Sequence, residues 1–415
     1  MPQNPEAQAF ISRIAALPKD VPVSLDGALQ PSLDDEAELR RLFATDTKNP
    51  RLNDPYVGLV DVFDAPTNIR TTRARVVQNE FDLSEKYLMP LAEARRRKEG
   101  TPAMVSSLEE FNQNWSIFSE SSLSLLDWNN VVAAGGSVLA CLLPVPDANK
   151  ASKRTLRKYF HATAFPTSDV DLFLYGLTPE QAEAKIIAIF QGLNSIDPLR
   201  FHLIYYNHLQ LSGMPFPGTA LASGLNILFL SIVSISGLPN IAGLTGLSAQ
   251  YPYRCVQIVL RLYSSPSEIL TGFDVDAPCC AFDGTRVWAN PRSIASMMRQ
   301  ANTVDITRRS PSYEVRLSKY SFRDFEVYVP NLKREEVDPT VKYHHHSSAS
   351  SLSYDPPIRS LSVRSLVSRV LPDSSSWSVS MTLSPARCTS THGGRFATAQ
   401  SSTGPIVARS HIKVI

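Results

Sequence analysis

The segment Ser168–Tyr175 (SDVDLFLY) decides the fold prediction, because it combines a β-strand pattern with two acidic residues. Residues two apart on a strand point the same way, so Asp169 and Asp171 share one face while valine and leucine side chains pack on the other. Two carboxylates on one face repel each other unless a cation lies between them. Mg²⁺, which takes carboxylate and phosphate oxygens, is the expected ion. The alternative is an ordinary pair of surface acids.

A glycine turn lies upstream of this strand. A short apolar run that begins at Trp128 ends in Gly135, Gly136 and Ser137, and the residues VLACLL that follow are typical of a buried helix. Glycine lets a phosphate approach the backbone, the start of a helix favours negative charge, and the Ser137 hydroxyl adds a hydrogen-bonding group. The order predicts a strand, a phosphate-binding turn and a helix, although a GGS turn alone is common.

Helices and strands alternate on the C-terminal side of the aspartates. Thr178 followed by a proline is typical of a helix start, YRCVQIVLRLY at 253–263 predicts a strand, and SPSE at 265–268 opens a short helix. Residues 291–328 have the pattern of helices followed by a strand at 325–329. Together these patterns predict an α/β (α+β) domain over residues 120–330, built as a mixed sheet with flanking helices.

The apolar run, the GGS turn, the helix and the DxD strand together resemble the signature of the nucleotidyltransferase superfamily, the fold of poly(A) polymerases, CCA-adding enzymes and polymerase beta. The fragments SDVDLFLYGL, VQIVLRLY, GFDVD and RRSPSYEVRLSKY also resemble uncharacterised fungal proteins with this domain, some of which carry ankyrin repeats. The resemblance implies that the turn at 135–137 holds a nucleoside triphosphate. It further implies that Asp169 and Asp171 bind magnesium, and that a third carboxylate on a later strand activates the attacking hydroxyl.

The chain departs from the family pattern at that third carboxylate. In the strand at 254–262 the expected position holds Gln257, and glutamine is neither a general base nor an anionic ligand. The next candidates are Asp274 and Asp276. A phenylalanine-aspartate pair at this place is similar to a segment of CCA-adding enzymes that supports the nucleotide pocket, so Asp274 is expected either to do the same or to be a plain turn acid.

Several basic residues are further candidates for phosphate contacts. The gap between the turn and the aspartates is longer than in the family, and its residues 144–167 include a basic stretch that either grips phosphate or forms a solvated helix face. Arg308 and Arg309 are likewise either phosphate partners or ordinary surface arginines.

Three regions surround or interrupt this domain. Residues 1–119 are expected to be mostly helical or irregular, with a charged helix at 78–98, and the Ser/Pro/Arg-rich residues 331–415 are expected to be disordered. Residues 201–253 contain no Asp, Glu, Lys or Arg. A membrane span there would separate strands of one sheet across a bilayer, so we predict an aberrant insertion near 201–248, with a buried core segment as the alternative.

The composition indicates the cellular compartment but not the substrate. The formal net charge of +2 gives no overall argument for nucleic acid or membrane binding. Five cysteines at irregular spacing predict reduced thiols in the cytoplasm or nucleus, and no signal peptide is visible.

The function predicted from these features is transfer of a nucleoside monophosphate from a nucleoside triphosphate to a hydroxyl acceptor, such as RNA or protein, with Mg²⁺ as cofactor. The alternative is a catalytically degenerate domain that binds a nucleotide or a protein. An acid within metal-bridging distance of Asp169 and Asp171 distinguishes the two, since only the transferase needs a third carboxylate.

Overall fold

The computed structural model describes residues 3–19, 21–76, 86–196, 201–204, 229–230, 246–249 and 253–333. These residues belong to one compact unit. The predicted disorder of the tail therefore lies outside the described residues, apart from its first three positions.

Nine strands of the described residues form one mixed sheet. Along its main path the order is β1-β10-β9-β3-β4-β8-β7-β5, and β6 also pairs with β8. The strands β4 and β8 run parallel, whereas the other pairs are antiparallel. A second sheet has the order β11-β12-β2. The strands are β1 (Val60–Asp61), β2 (Tyr87–Leu88), β3 (Val131–Ala134), β4 (Val170–Tyr175), β5 (Phe201–Ile204), β6 (Phe229–Leu230), β7 (Gly246–Ala249), β8 (Val256–Tyr263), β9 (Cys280–Phe282), β10 (Val287–Ala289), β11 (Ala301–Thr303) and β12 (Glu326–Tyr328).

Helices are distributed along the whole described chain, so the mixed α/β class is confirmed. A π-helix at Tyr159–Ala164 directly follows α6. The α-helices are α1 (Pro5–Ala15), α2 (Asp26–Thr45), α3 (Leu108–Phe118), α4 (Gly136–Leu142), α5 (Asp147–Lys150), α6 (Lys153–Lys158), α7 (Pro179–Ile196), α8 (Pro266–Thr271), α9 (Pro291–Arg299) and α10 (Tyr313–Ser321).

Local capping explains where two of the predicted helices begin. The Thr178 hydroxyl accepts from the Gln181 N–H at 3.3 Å, and the Gln181 side chain accepts from the Thr178 N–H at 2.9 Å, which is the reciprocal capping box expected from the sequence. Ser265 caps α8 by accepting from the Glu268 N–H. The Glu268 carboxylate, however, reaches back to the N–H of Ser264 at 2.7 Å rather than to that of Ser265.

The two faces of β4 differ as predicted. Val170, Leu172 and Leu174 have no exposed surface. On the carboxylate face, Phe173 belongs to an apolar cluster whose other members come from β3, β8, α8, β9, β10 and the N-terminal region. The core therefore extends over both faces of the sheet, and the aspartates lie at one end of β4.

The described residues among the first 76 contribute to this core. The strand β1 pairs with β10 at the edge of the main sheet. The α2 residue Glu36 is almost fully buried and accepts from Arg292 at 3.0 Å and from Arg308 at 2.7 Å. This region was expected to be mostly helical or irregular, and its helix α2 spans 20 residues.

The structure describes the predicted helix at 78–98 only from Lys86 onward; Lys86 is helical, and the prediction is wrong from Tyr87 on. Tyr87–Leu88 forms a strand against Val327–Tyr328, and only a single 3-10 turn occurs at Glu93–Arg95. The charged run there is also less solvated than expected, because Arg97 donates to the carbonyl oxygen of Ala103 at 2.6 Å and to that of Met297. Pairing with residues far along the chain overrides the local helical pattern.

The described pieces of the uncharged stretch extend the main sheet beyond β8. The strand β7 pairs with β8 and β5, and β6 pairs with β8 at Val259 and Ile258. The remainder of the predicted insertion lies outside the described residues. Among the residues the structure describes, no helix is both long and apolar enough to cross a membrane.

Candidate nucleotide site

The turn between β3 and α4 has the backbone that its glycines predict. Gly135 has φ +91°, a value that side-chain-bearing residues rarely adopt. A Cβ atom at Gly135 would lie 3.5 Å from the Phe273 ring and 3.9 Å from Asp171 Oδ2. A Cβ atom at Gly136 would lie 3.2 Å from Arg323 Nη1 and 3.3 Å from Tyr320 Oη. The two positions thus favour glycine for different reasons, backbone conformation at Gly135 and the close approach of two side chains at Gly136.

Asp171 is placed where the sequence predicts it. It lies opposite Ala134, the last residue of β3, and therefore next to the start of the turn. Asp169 precedes β4 by one residue. The aspartates and the glycine turn are thus brought together at one end of adjacent strands, which is the arrangement that a metal-bound phosphate requires.

Gln257 occupies the position beside the aspartates that was expected to hold the third carboxylate. Its Cα is paired with that of Asp171 across the parallel β4–β8 ladder. Its amide Nε2 donates to Asp169 Oδ2 at 2.7 Å. Among the described residues, no group of three or more His, Cys, Asp or Glu side chains is arranged to hold a metal ion. Asp276, the other candidate for the third carboxylate, is instead bound to Arg292 at 3.1 Å.

Cations lie on the other side of Asp169. Arg323 Nη2 donates to the hydroxyl of the neighbouring Ser168 at 2.6 Å. Burial lowers the pKa of Arg323, while Tyr320 and the carboxylate of Asp169 act in the opposite direction. Burial also lowers the pKa of Arg254 to about 10, so this residue stays protonated at neutral pH. Two cations therefore lie near Asp169, and one of them, Arg323, also lies beside the turn, which suits an anionic ligand.

Two polar atoms near the turn lack a hydrogen-bond partner within the described part of the chain. They are the hydroxyl oxygen of Ser137, whose side chain has no exposed surface, and Nη1 of Arg323. A buried unpaired polar group costs about 1–3 kcal/mol, and more when it is charged. Oxygen atoms of a bound phosphate are suitable partners for both, because a hydroxyl and a guanidinium N–H each donate.

The contacts that the structure shows for Asp274 are with α10 and the residues before it, not with the turn. Its carboxylate accepts from Arg316 at 2.7 Å and from the Ser310 hydroxyl at 2.7 Å. The adjacent Phe273 instead contacts the turn, and its ring centroid lies 5.7 Å from that of Phe173. The two residues of the phenylalanine-aspartate pair therefore have different contacts: Phe273 contacts the turn, and Asp274 binds Arg316 and Ser310.

The predicted phosphate contacts of Arg308 and Arg309 are not supported. Arg308 is buried rather than a surface residue, and it is bound to Glu36 at 2.7 Å and to Asp305 at 2.9 Å. Arg309 binds Glu314 at 2.7 Å. Both guanidinium groups already have carboxylate partners, so neither is available to phosphate without breaking an ion pair.

The basic insert at 144–167 has mixed surroundings. Lys150 binds Glu110 and Arg157 binds Glu120, whereas Lys153, Arg154 and Lys158 are exposed. The end of the insert is held by the buried Arg254, which donates to the carbonyl oxygens of four residues. These are Phe118, Phe160, Phe165 and Ser168, at 2.8–3.0 Å. Arg254 thereby fixes the segment that leads directly into Asp169.

Sequence reasoning did not identify Arg323, Tyr320 or Arg254. Tyr320 lies in the last turn of α10 and Arg323 two residues after the helix, both more than a hundred residues from the turn, so no spacing pattern connects them with it. Burial raises the pKa of Tyr320, which keeps its hydroxyl protonated. Of the side chains that contact the turn, Phe273 could be found from the sequence, because it belongs to the phenylalanine-aspartate pair.

Comparison with known proteins gives limited information. The chain is similar to an uncharacterised protein, R883, of Acanthamoeba polyphaga mimivirus, with 42% identity over 77 residues. The similar segment is 19% of this chain and 17% of the viral protein, so the match spans only a small part of either. No family model matches the chain. No solved structure matches it either.

Proposed function

We propose that this protein binds a magnesium nucleoside triphosphate at the Gly135–Ser137 turn, with Asp169 and Asp171 as carboxylate ligands of the metal ion. The observation that carries the proposal is the approach of Asp171 Oδ2 to within 3.9 Å of the Cβ position of Gly135, at a turn whose φ of +91° favours glycine. The resemblance to nucleotidyltransferases supplies the ligand class.

The residues present fit such a ligand. Two carboxylates two positions apart supply oxygen ligands, and the unpaired Ser137 hydroxyl and Arg323 Nη1 supply donors for phosphate oxygens. When bound, magnesium neutralises phosphate charge and polarises the phosphorus–oxygen bonds. A side chain at Gly136 would press against Arg323 Nη1 and Tyr320 Oη, so either group would have to shift by a few tenths of an ångström.

Gln257 favours binding without turnover over catalysis. It is an amide at the position beside Asp171, and it donates a hydrogen bond to Asp169. An amide cannot remove a proton from an attacking hydroxyl. We therefore place nucleotide binding first. Transfer of a nucleoside monophosphate to a hydroxyl of RNA, protein or a small molecule is the second candidate, favoured by the position of both aspartates beside the turn.

Thermal unfolding with and without ligand tests the binding proposal. Magnesium with a triphosphate should stabilise the protein by about 2.7 kcal/mol when the ligand is at a hundredfold excess over its Kd. Asp171→Asn removes a charge and keeps the shape, so it should abolish the ligand-induced shift while the protein without ligand stays folded. Asp147→Asn is the matched control, because this aspartate is exposed on α5. A full shift in Asp171→Asn would contradict the proposed site.

Incubation with labelled nucleoside triphosphates, magnesium and a cell extract tests the second candidate. Label that enters RNA, protein or a small molecule with the parent protein, and not with Asp171→Asn, would establish transfer. Stabilisation by magnesium-nucleotide without any transfer of label is the result expected from Gln257.

A further inference from the structure

Arg323 is held beside the glycine turn by one hydrogen bond and by two aromatic rings. Its Nη2 donates to the Ser168 hydroxyl, and the guanidinium carbon lies 5.0 Å from the centroid of the Phe165 ring and 5.4 Å from that of Tyr320. These contacts fix the direction of the side chain. They leave Nη1 pointing into the space beside Gly136, 3.2 Å from where a Cβ atom would be.

No partner compensates Nη1 in the described part of the chain, and the atom is buried. A half-buried guanidinium group usually forms hydrogen bonds with a carboxylate or phosphate, since an unpaired charged donor is costly away from water. The nearby Ser137 hydroxyl is unpaired as well. Two donors without partners thus belong to the turn or lie beside it, one on Ser137 and one 3.2 Å from the Cβ position of Gly136, and both are of the kind that bind phosphate oxygens.

The surrounding structure positions α10, the helix that ends just before Arg323. Asp274 binds both Arg316 within α10 and Ser310 before it. This ion pair fixes the helix to the segment that carries Phe273, which contacts Gly135. Asp274, one of the residues considered for the nucleotide pocket, is therefore suited to positioning Arg323 through α10.

We propose that Arg323 is a phosphate-binding residue that selects the triphosphate chain of the nucleotide at the Gly135–Ser137 turn. The inference rests on the proposed function, and it adds a residue from the far end of the unit to that site. The guanidinium group donates Nη1–H to a phosphate oxygen while Nη2 stays bound to Ser168. Because it recognises phosphate and not the base, its removal should weaken binding of all four common nucleoside triphosphates alike.

The test uses calorimetric titration of the full chain with magnesium tripolyphosphate, which needs no knowledge of the base, and with ATP, GTP, CTP and UTP. Arg323→Met should weaken tripolyphosphate and nucleotide binding by about tenfold or more, the loss expected for one charge-assisted hydrogen bond. Arg323→Lys keeps the charge but loses the forked geometry, so its affinity should be intermediate. Arg41→Met is the matched control, because Arg41 is exposed on α2 and paired only with groups of its own helix.

Two further readouts separate binding from a structural role. Without ligand, Arg323→Met should melt at or above the temperature of the parent protein, because it removes an uncompensated buried donor. The salt dependence of tripolyphosphate binding should also become shallower in this variant. If Arg323→Met lowers the melting temperature enough to prevent titration, Arg323→Lys decides: unchanged affinity contradicts the inference, and weakened affinity supports it.

The outcomes distinguish the inference from the proposed function. Parent-like binding in Arg323→Met with lost binding in Asp171→Asn would overturn the role of Arg323 and leave the nucleotide site standing. Binding of tripolyphosphate that depends on Arg323 but not on Asp171 or magnesium would support the anion site and overturn the proposed metal site. Absence of binding of tripolyphosphate and of all four nucleotides by the parent protein would overturn both.

Discussion

Gln257 decides more about function than any other single residue of the site. The sequence predicted its position correctly, since it faces Asp171 across the β4–β8 ladder, and this position depends only on strand register. Its hydrogen bond to Asp169 at 2.7 Å puts an amide donor at the position where the resemblance implies a third acid. A neutral donor there stabilises two neighbouring carboxylates in the absence of metal, whereas a third carboxylate would repel them.

Gln257→Glu tests this effect of charge. Repulsion by the new carboxylate should raise the pKa of the carboxyl groups in the folded variant. The folded variant is then relatively more stable when these groups are protonated, and it loses that stability as the pH rises through the raised pKa. We expect Gln257→Glu to be less stable than the parent by about 1–2 kcal/mol at pH 8, and to regain that difference at pH 4 or with magnesium.

Urea unfolding at the two pH values measures the difference. Gln257→Met is the control, because it loses the hydrogen bond to Asp169 without adding charge and should show no additional pH dependence. A Gln257→Glu variant whose stability relative to the parent does not change with pH or magnesium would show that the three side chains do not share one site.

Among the secondary-structure elements, those specified by local signals were predicted and those specified by distant pairing were not. The strand β4, the glycine turn and the caps at Thr178 and Ser265 depend on neighbours within a few residues. The strand Tyr87–Leu88 exists because it pairs with β12, which the local charge pattern does not reveal. The same reason explains why Arg323 was not predicted as part of the site.

The insert between the turn and the aspartates depends on one side chain from β8's N-terminal flank. Arg254 donates to four carbonyl oxygens at the ends of α3 and of the insert, and its guanidinium group lies 3.8 Å from the centroid of the Phe118 ring. Backbone carbonyls that are not paired within a helix or sheet need such donors when they are buried. The buried guanidinium group of Arg254 therefore holds the segment between the turn and β4 in place.

Arg254→Met should destabilise the protein by about 3 kcal/mol, because it leaves several buried carbonyl oxygens without donors. Arg254→Lys should recover only part of this loss, since one ammonium group cannot reach all four oxygens in the same geometry. The free energy of urea unfolding measures both. Arg154→Met, at an exposed position of α6, is the control and should change stability by less than about 0.5 kcal/mol.

At the scale of the whole molecule, the N-terminal helices are joined to the sheet by buried charges. Glu36 of α2 binds Arg292 and Arg308, and Arg292 also binds Asp276. The side chains of Glu36 and Arg292 are at most 3% exposed. The sequence identified a helical N-terminal region but could not reveal this network, because Glu36 is more than two hundred residues from the arginines that it binds.

Glu36→Gln should therefore destabilise the whole unit and not only its N-terminal part. Removing the shared anion leaves two buried guanidinium groups facing a neutral amide, and breaking a buried ion pair costs about 3–5 kcal/mol. Arg292 retains Asp276 and Arg308 retains Asp305, which places the expected loss at the lower end of that range. Because β1 pairs with β10 in the main sheet, unfolding of the N-terminal residues should expose the sheet edge and proceed in one step.

Hydrogen exchange and urea unfolding together check this prediction. In Glu36→Gln, amides of α2 and of β3, β4 and β8 should lose protection by the same amount, as expected for global unfolding. Glu38→Gln is the matched control on the same helix, because Glu38 is 44% exposed and is paired with Arg41 at the surface, so its replacement should leave the stability almost unchanged. Loss of protection confined to residues 26–45 in Glu36→Gln would show instead that the N-terminal helices unfold independently of the sheet, and that the buried charges fasten them to it without stabilising the strands that carry Asp171 and Gln257.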